Sequence, residues 1–272
     1  MTNDINMIHF HSDDYGYNKS VDEKIIALIQ KGKISSVSVL STHALKDSLK
    51  DLVKYSSSDP SADGESRSSQ PASPAGRQAR TIKVGLHINL VEGKSLENHS
   101  RIKSLVDKQG RFFGLPLLVA RLLLGLVKTE DIEREITAQL TALRRNVVSV
   151  DVIDSHQHIH AISPVAEIVE KLANKYNLAS VRSYKSVRTY TLRAKVKYLF
   201  LKFIAFLTFL RIYKKIGLPA SWQVANRKPY AFMSWEDGGL DLTNGIKEDG
   251  VYVIHPYLPF DTNKSYKQIL DI

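Results

Sequence analysis

The sequence VVSVDVIDSHQHIH (residues 147–160) joins an apolar, strand-forming run to a cluster of side chains that can bind metals. In an extended backbone successive side chains alternate between two faces, so every second residue of 154–160 is expected on one face. Imidazole nitrogens and carboxylate oxygens bind divalent metals, and a ligating histidine usually pairs with a carboxylate that sets its tautomer. We therefore predict a metal centre completed by ligands from elsewhere in the chain, with Asp154 in the supporting role. The alternative is a surface strand whose histidines are merely solvated. The residues expected on this face are Asp154, His156, His158 and His160.

The composition is that of an ordinary globular protein. Of the 272 residues, 43% are apolar and 24% are charged, which suits one large α/β domain or two small ones. There is no cysteine, so disulfides and thiolate ligands are excluded and any metal must be held by His, Asp and Glu. Residues 1–6 are polar and lack the basic and apolar regions of a secretion signal, so we expect a cytoplasmic protein.

Strand and helix patterns alternate along the chain. A short strand is expected at 7–11 and leads into Ser-Asp-Asp-Tyr-Gly at 12–16, and the helical spacing that follows opens with Ser20 and Glu23 in a capping-box arrangement. Further strands are expected at 34–40, 82–90, 147–153, 178–183 and 251–254, with helices between them.

Polar side chains follow several of these strands at their carboxyl ends. They are Asp13 and Asp14 after the first strand, His87 near the end of a later one, and His255 after the last. A parallel barrel builds its active site from residues at the carboxyl ends of several strands. We predict an α/β protein with an irregular (β/α) barrel that forms a single domain over residues 1–272.

Residues 56–80 interrupt this pattern. The segment is rich in Ser, Pro, Gly and Ala, and it contains no aromatic residue and no aliphatic residue larger than Ala. Such a segment cannot bury enough apolar surface to offset the entropy lost on ordering. We expect a disordered surface insertion within one domain.

The net charge of +10 is concentrated in one part of the chain, because residues 171–230 contain fourteen Lys or Arg and no Asp or Glu. Within this part, residues 189–216 have the pattern of a long basic helix, and Lys202 interrupts its apolar run too early for a membrane span. We favour an amphipathic helix that covers the core, with weak contact to a membrane surface as the alternative. Nucleic acid is not expected as a partner, since no binding motif accompanies the charge.

Four separated motifs occur together in one order along the chain. They are Ser-Asp-Asp-Tyr-Gly at 12–16, Gly-Leu-His-Ile-Asn-Leu at 85–90 followed by Glu92-Gly93, the stretch 154–160, and His255-Pro256. Together they resemble the YdjC-like (ChbG-type) carbohydrate deacetylase family over most of the chain outside the insertion. The resemblance implies an irregular (β/α) barrel, one divalent metal ion (Mg or Zn), and hydrolysis of the acetamide of an N-acetylated sugar such as a chito-oligosaccharide.

The resemblance also implies roles for individual residues. Carried onto this sequence, the metal ligands are Asp14, His87 and His156, and Asp13 is the candidate general base.

The chemistry of amide hydrolysis gives further roles. Water is a poor nucleophile and the tetrahedral oxyanion is unstable, and a metal ion addresses both barriers. Asp13 lies next to a ligand but does not itself bind the metal, so it can accept the proton of water. A histidine can protonate the departing amine. We select His255 as that acid. His158 and His160 compete for the role, but like Asp154 they are expected to support the ligands or to face the substrate.

Two other functions remain open at this level. A metal-dependent phosphoesterase would use the same ligand types, although it usually bridges two metals with more carboxylates than this chain places near strand ends. A non-catalytic membrane-surface protein built around helix 189–216 is the alternative from a different class. An N-acetylated carbohydrate is the expected partner, and oligomer formation is compatible with the sequence.

Overall fold

The computed structural model of the protein describes residues 9–44, 46–56, 82–147, 149–178, 180–181, 196, 199, 203, 232–234 and 251–254. The strands are β1 (His9–Tyr15), β2 (Ser36–Val39), β3 (Lys83–Ile88), β4 (Val152–Ser155), β5 (Ser180–Val181), β6 (Phe232–Ser234) and β7 (Val251–Ile254). The α-helices are α1 (Lys19–Gln30), α2 (Lys46–Val53), α3 (Leu115–Leu123), α4 (Thr129–Arg144) and α5 (Val165–Lys175). Two 3₁₀-helices cover His99–Arg101 and His156–Ala161.

The strands form one parallel sheet in the order β5-β4-β3-β2-β1-β7-β6. Parallel neighbours need crossover connections, and helices α1, α2, α4 and α5 lie in those connections. The predicted α/β class is therefore confirmed. The short strand β6 was not predicted from the sequence, whereas the strand predicted at 251–254 is β7.

Closure of the sheet into a barrel is not confirmed. A barrel requires a hydrogen-bonded ladder between the two edge strands. Over the described residues the sheet is open, because β5 and β6 lie at opposite ends of the strand order and no ladder joins them.

The core packs between this sheet and its helices. Helix α1 illustrates how the sequence builds it, because Val21, Ile25 and Leu28 recur at helical spacing and are at most 1% exposed. The predicted capping box is wrong: Asn18 is the N-cap, and its side chain accepts a hydrogen bond from the backbone N–H of Val21 at 3.0 Å. Asparagine caps a helix as well as serine does, and here it begins the helix two residues earlier.

The backbone around residues 154–160 also differs from the prediction. Strand β4 ends at Ser155, and a 3₁₀-helix follows in which Gln157 and His158 have φ values of 51° and 61°. These left-handed conformations break the alternation of an extended chain. Side chains 154, 156, 158 and 160 are therefore not placed on one face by a common strand.

The ends of the predicted insertion lie next to each other. Ser56 forms a parallel bridge with Ile82, and the N–H of Ile82 donates to the carbonyl of Tyr55 at 2.9 Å. The segment between them lies outside the described residues, so the prediction of a disordered insertion in a single domain stays a prediction.

Most of the basic segment 189–216 also lies outside the described residues. The exceptions are Val196, Leu199 and Phe203, which are helical and exposed. None of the helices that the structure describes has the length and apolar character needed to cross a bilayer.

Candidate metal centre

One face of the sheet carries small and polar side chains close to the carboxyl ends of its strands. The register pairs His11 with Ser36, Ser38 with Gly85, and His87 with Asp154. A Cβ atom added at Gly85 would lie 2.8 Å from Ser38 Oγ and 2.9 Å from the carbonyl oxygen of Val152. Because glycine leaves that space empty, Ser38 on β2 can donate to Asp154 Oδ2 on β4 across the intervening strand, at 2.8 Å.

Three buried side chains from separate parts of the chain meet beside this face. Asp14 Oδ1 lies 2.8 Å from His156 Nδ1 and 3.2 Å from His87 Nε2, and one ligand atom from each residue lies within 4.8 Å of the others. Asp14 has a φ of 63°, and the pairing of β1 with β2 shifts register between Ser12 and Tyr15. A left-handed aspartate in a bulged strand end is a strained conformation of the kind found at functional sites.

The His87 ring is oriented by Asp154. Its Nδ1 lies 2.6 Å from Asp154 Oδ1, so Nε2 is the nitrogen that faces Asp14. A carboxylate on one ring nitrogen leaves the other available to a metal and strengthens it as a ligand. The sequence predicted that Asp154 supports a histidine ligand. The histidine that Asp154 contacts is His87, which lies on the neighbouring strand β3 and not on its own strand β4.

The electrostatics of the cluster favour a bound cation. Burial by itself lowers the pKa of His87, but the carboxylates of Asp14, Asp154 and Asp13 outweigh it and raise that pKa to about 10. Three buried carboxylates repel one another, and positive charge among them is needed to stabilise their ionised forms together. A divalent metal can provide that charge in place of a proton.

Asp13 stands beside this group without belonging to it. The carboxylate is 1% exposed, and its Oδ1 lies 3.1 Å from His11 Nε2. His11, Asp13 and Asp154 form a second cluster whose ligand atoms also lie within 4.8 Å of one another.

The sequence pattern that defines the YdjC-like proteins matches residues 7–256. The chain belongs to the YdjC-like protein family. It is 27% identical over 171 residues to a carbohydrate deacetylase from Oceanobacillus iheyensis and 29% identical over 184 residues to one from Geobacillus stearothermophilus. These matches cover 63% and 67% of this chain, and 62% and 61% of the two relatives, so the chain spans about three fifths of their length.

A solved structure shares the fold of this YdjC-like protein. It is a crystal structure from Enterococcus faecalis V583, provisionally described as a cellobiose-phosphate cleavage protein. The TM-score is 0.54 at 18% identity, and the alignment covers 92% of this chain and 81% of the other. Identity this low supports a common architecture only.

The remaining predicted site residues of the YdjC-like chain lie in different places. His158 and His160 are buried, and neither belongs to the two metal-type clusters found among the described residues. His160 Nδ1 makes a short contact with Ser155 Oγ, which also accepts the backbone N–H of His160 at 3.0 Å. His160 is thus folded back on the end of β4. His255 lies outside the described residues, so its role stays a prediction.

Glu92 is a site residue to which the sequence analysis assigned no role. Its Oε2 lies 3.2 Å from His156 Nε2, and its Oε1 accepts a hydrogen bond from Tyr17 Oη at 3.2 Å. The Asn89 side chain holds the turn, since its Oδ1 accepts the N–H of Glu92 at 3.0 Å and its Nδ2 donates to the carbonyl of Glu92 at 2.7 Å. Both residues belong to the motif at 85–93 that resembles the YdjC-like family. That resemblance was the feature of the sequence that could have identified them.

Glu92 also marks the open side of the centre. Its side chain is 41% exposed, whereas that of His156 is 10% exposed. Tyr17 stacks on His43 with 6.0 Å between ring centroids, and its ring lies 6.3 Å from that of His156. An acidic and aromatic rim therefore borders the buried Asp14, His87 and His156 group on one side.

Proposed function

We propose that this protein is a metal-dependent hydrolase that removes the acetyl group from an N-acetylated sugar, a chito-oligosaccharide or a related glycoconjugate. The observation that carries the proposal is the buried Asp14, His87 and His156 group, with the carboxylate of Asp13 beside it. Membership of the YdjC-like family and relatives named carbohydrate deacetylases support the same chemistry.

The three side chains suit one divalent cation, Mg or Zn. They supply one carboxylate oxygen and two imidazole nitrogens, which are ligands that zinc accepts and that leave further positions open. When bound, such a metal supplies Lewis acidity towards water and towards the amide carbonyl. Asp154 and Ser38 keep His87 oriented for this role through contacts of 2.6 and 2.8 Å.

Asp13 is our candidate for the general base. The oxygen of water attacks the amide carbon while its proton passes to the Asp13 carboxylate, and cleavage of the C–N bond then releases acetate and the sugar amine. The departing nitrogen takes a proton from a general acid, for which His255 remains our choice and His158 and His160 the alternatives.

Acetate release from the metal-loaded protein tests the proposal. A panel of N-acetylglucosamine oligosaccharides and glycoconjugates should yield acetate with Zn or Mg. Asp13→Asn should lower kcat by about 10²–10⁴-fold and keep the metal, because the amide preserves size but cannot accept a proton. A phosphoester panel is the control for the rival hydrolase. Phosphate release without acetate release would exclude the deacetylase, and loss of metal in Asp13→Asn would exclude its role as a base.

Weak contact with an anionic membrane surface is a second proposal, carried by the exposed residues of the basic segment. Val196, Leu199 and Phe203 are 59%, 70% and 55% exposed, and their spacing is that of one helical face. Apolar side chains within a stretch free of acidic residues are typical of helices that lie on anionic lipid. Sedimentation with vesicles of phosphatidylcholine, with and without phosphatidylserine, tests it: binding only with the anionic lipid is expected, and no sedimentation in either case would exclude it.

A further inference from the structure

A histidine that the sequence analysis did not single out lies between two carboxylates beside the candidate metal centre. His11 on β1 is 2% exposed, and its Nε2 lies 3.1 Å from Asp13 Oδ1 and 3.3 Å from Asp154 Oδ2. Within the part of the chain that the structure describes, neither contact is aligned as a full hydrogen bond. The imidazole is thus held by both carboxylates and not paired with one of them.

The other edge of the ring is held by Ser36. The two residues are register partners on β1 and β2, and His11 Nδ1 lies 2.7 Å from Ser36 Oγ. Because Nδ1 contacts Ser36, Nε2 is the ring nitrogen that faces Asp13 and Asp154. A lone pair there would face two negative oxygens, which favours the tautomer with the hydrogen on Nε2 and with Ser36 Oγ donating to Nδ1.

We propose that His11 is a positioning residue that holds the Asp13 carboxylate in the orientation needed for proton transfer. This inference rests on the proposed function, in which Asp13 is the base. Two buried carboxylates near each other repel, and an N–H between them lowers that repulsion while limiting how either group can rotate. Asp154 also contacts His87 Nδ1 at 2.6 Å. His11 therefore ties the base to the carboxylate that orients a metal ligand.

The same three side chains could instead hold a second cation. His11, Asp13 and Asp154 supply suitable ligand atoms within 4.8 Å of one another, and all three residues are buried. A second metal would occupy the Asp13 carboxylate and would be incompatible with its role as a base. The experiment must therefore count metal ions as well as measure turnover.

Substitutions at position 11 provide the test. His11→Leu should lower kcat for acetate release by about 10–100-fold, as is typical for groups that support a ligand or a base, with KM changed less than about twofold. His11→Gln, whose amide can still donate towards Asp13, should recover much of that loss. His99→Leu alters an exposed histidine on a 3₁₀-helix and should leave kcat unchanged. Metal content by mass spectrometry should be one equivalent in every variant.

Equal loss in the Leu and Gln variants, or a rise in KM at constant kcat, would overturn the proposal. Two equivalents of metal in the parent and one in His11→Leu would replace it with a second metal site.

A readout independent of turnover separates this inference from the proposed function. In the ring ¹H–¹⁵N spectrum of the metal-free protein, the Nε2-bound proton of His11 should be observed and should shift in both Asp13→Asn and Asp154→Asn. If the parent protein released no acetate but these shifts appeared, the contact would stand while the deacetylase assignment failed. If Asp13→Asn left the resonance unchanged, His11 would not position Asp13.

Discussion

Two buried polar clusters in this protein are built on opposite principles. On the buried face of α4, Glu135 and Gln139 are fully buried and hold the loop that follows β3. Glu135 accepts the backbone N–H groups of Leu96 and Glu97 at 3.1 and 2.9 Å, and Gln139 Nε2 donates to the carbonyl of Asn89 at 2.6 Å. Each side chain there meets groups of complementary polarity, which is the arrangement of a structural network.

The strand-end cluster lacks this balance. Asp13, Asp14 and Asp154 are all at most 1% exposed, and the groups around them are the imidazoles of His11, His87 and His156. One of these carboxylates sits in a left-handed backbone conformation. Several carboxylates buried close together, one of them on a left-handed backbone, distinguish the candidate site from the α4 network, in which a single carboxylate accepts backbone N–H groups.

Removing ligands from the strand-end cluster should have the largest effect. His87→Ala and His156→Ala should each lose bound divalent metal and acetate-releasing activity together, because each deletes one of the three proposed ligands. His158→Ala is the matched control from the same 3₁₀-helix as His156 and should keep most of the metal. Metal content by mass spectrometry decides the outcome. Full occupancy in His156→Ala would show that the ligand set is wrong.

An intermediate effect, on stability and not on metal, is expected in the α4 network. Glu135→Ala leaves the N–H groups of Leu96 and Glu97 without their carboxylate, which should reduce the free energy of unfolding by about 2–4 kcal/mol. Chemical denaturation measures this. Glu130→Ala, an exposed change on the same helix, should alter stability by less than about 1 kcal/mol.

Metal content sharpens the contrast between the clusters. It should be unchanged in folded Glu135→Ala protein. Loss of metal in that variant would mean that the two clusters are coupled and that the distinction between them fails.

The smallest effect should come from the insertion. Replacing residues 57–78 by a short Gly/Ser linker should change the melting temperature and activity little, because loop length alters closure entropy only slowly. The bridge between Ser56 and Ile82 already brings the ends together, so a short linker can span them. Thermal melts of the shortened and full chains provide the measurement. A large fall in melting temperature would show that the segment packs on the domain and belongs to its core.

Local patterns predicted most elements but not the details that position side chains. The helical spacing of Val21, Ile25 and Leu28 identified α1, yet Asn18 and not Ser20 caps it, because either residue can satisfy the first free N–H groups. An apolar run identified β4, yet the strand stops at Ser155. The turn that follows depends on left-handed residues at 157 and 158, which no local preference of Gln or His indicates.

By itself the sequence determined the class of fold, the absence of thiolate ligands and the types of residue available to a metal. These follow from composition and from patterns a few residues long, which short-range sterics and burial translate directly into strands and helices. Resemblance to a known family grouped Asp14, His87 and His156, but no local pattern brings them into contact, and only the tertiary structure decided which residues meet. Asp14, His87 and His156 come together because β1, β3 and β4 run parallel in one sheet, and Ser38 reaches Asp154 because Gly85 leaves space on the strand between them. Contacts between residues so distant in the chain depend on strand order and register, which no local stretch of sequence encodes.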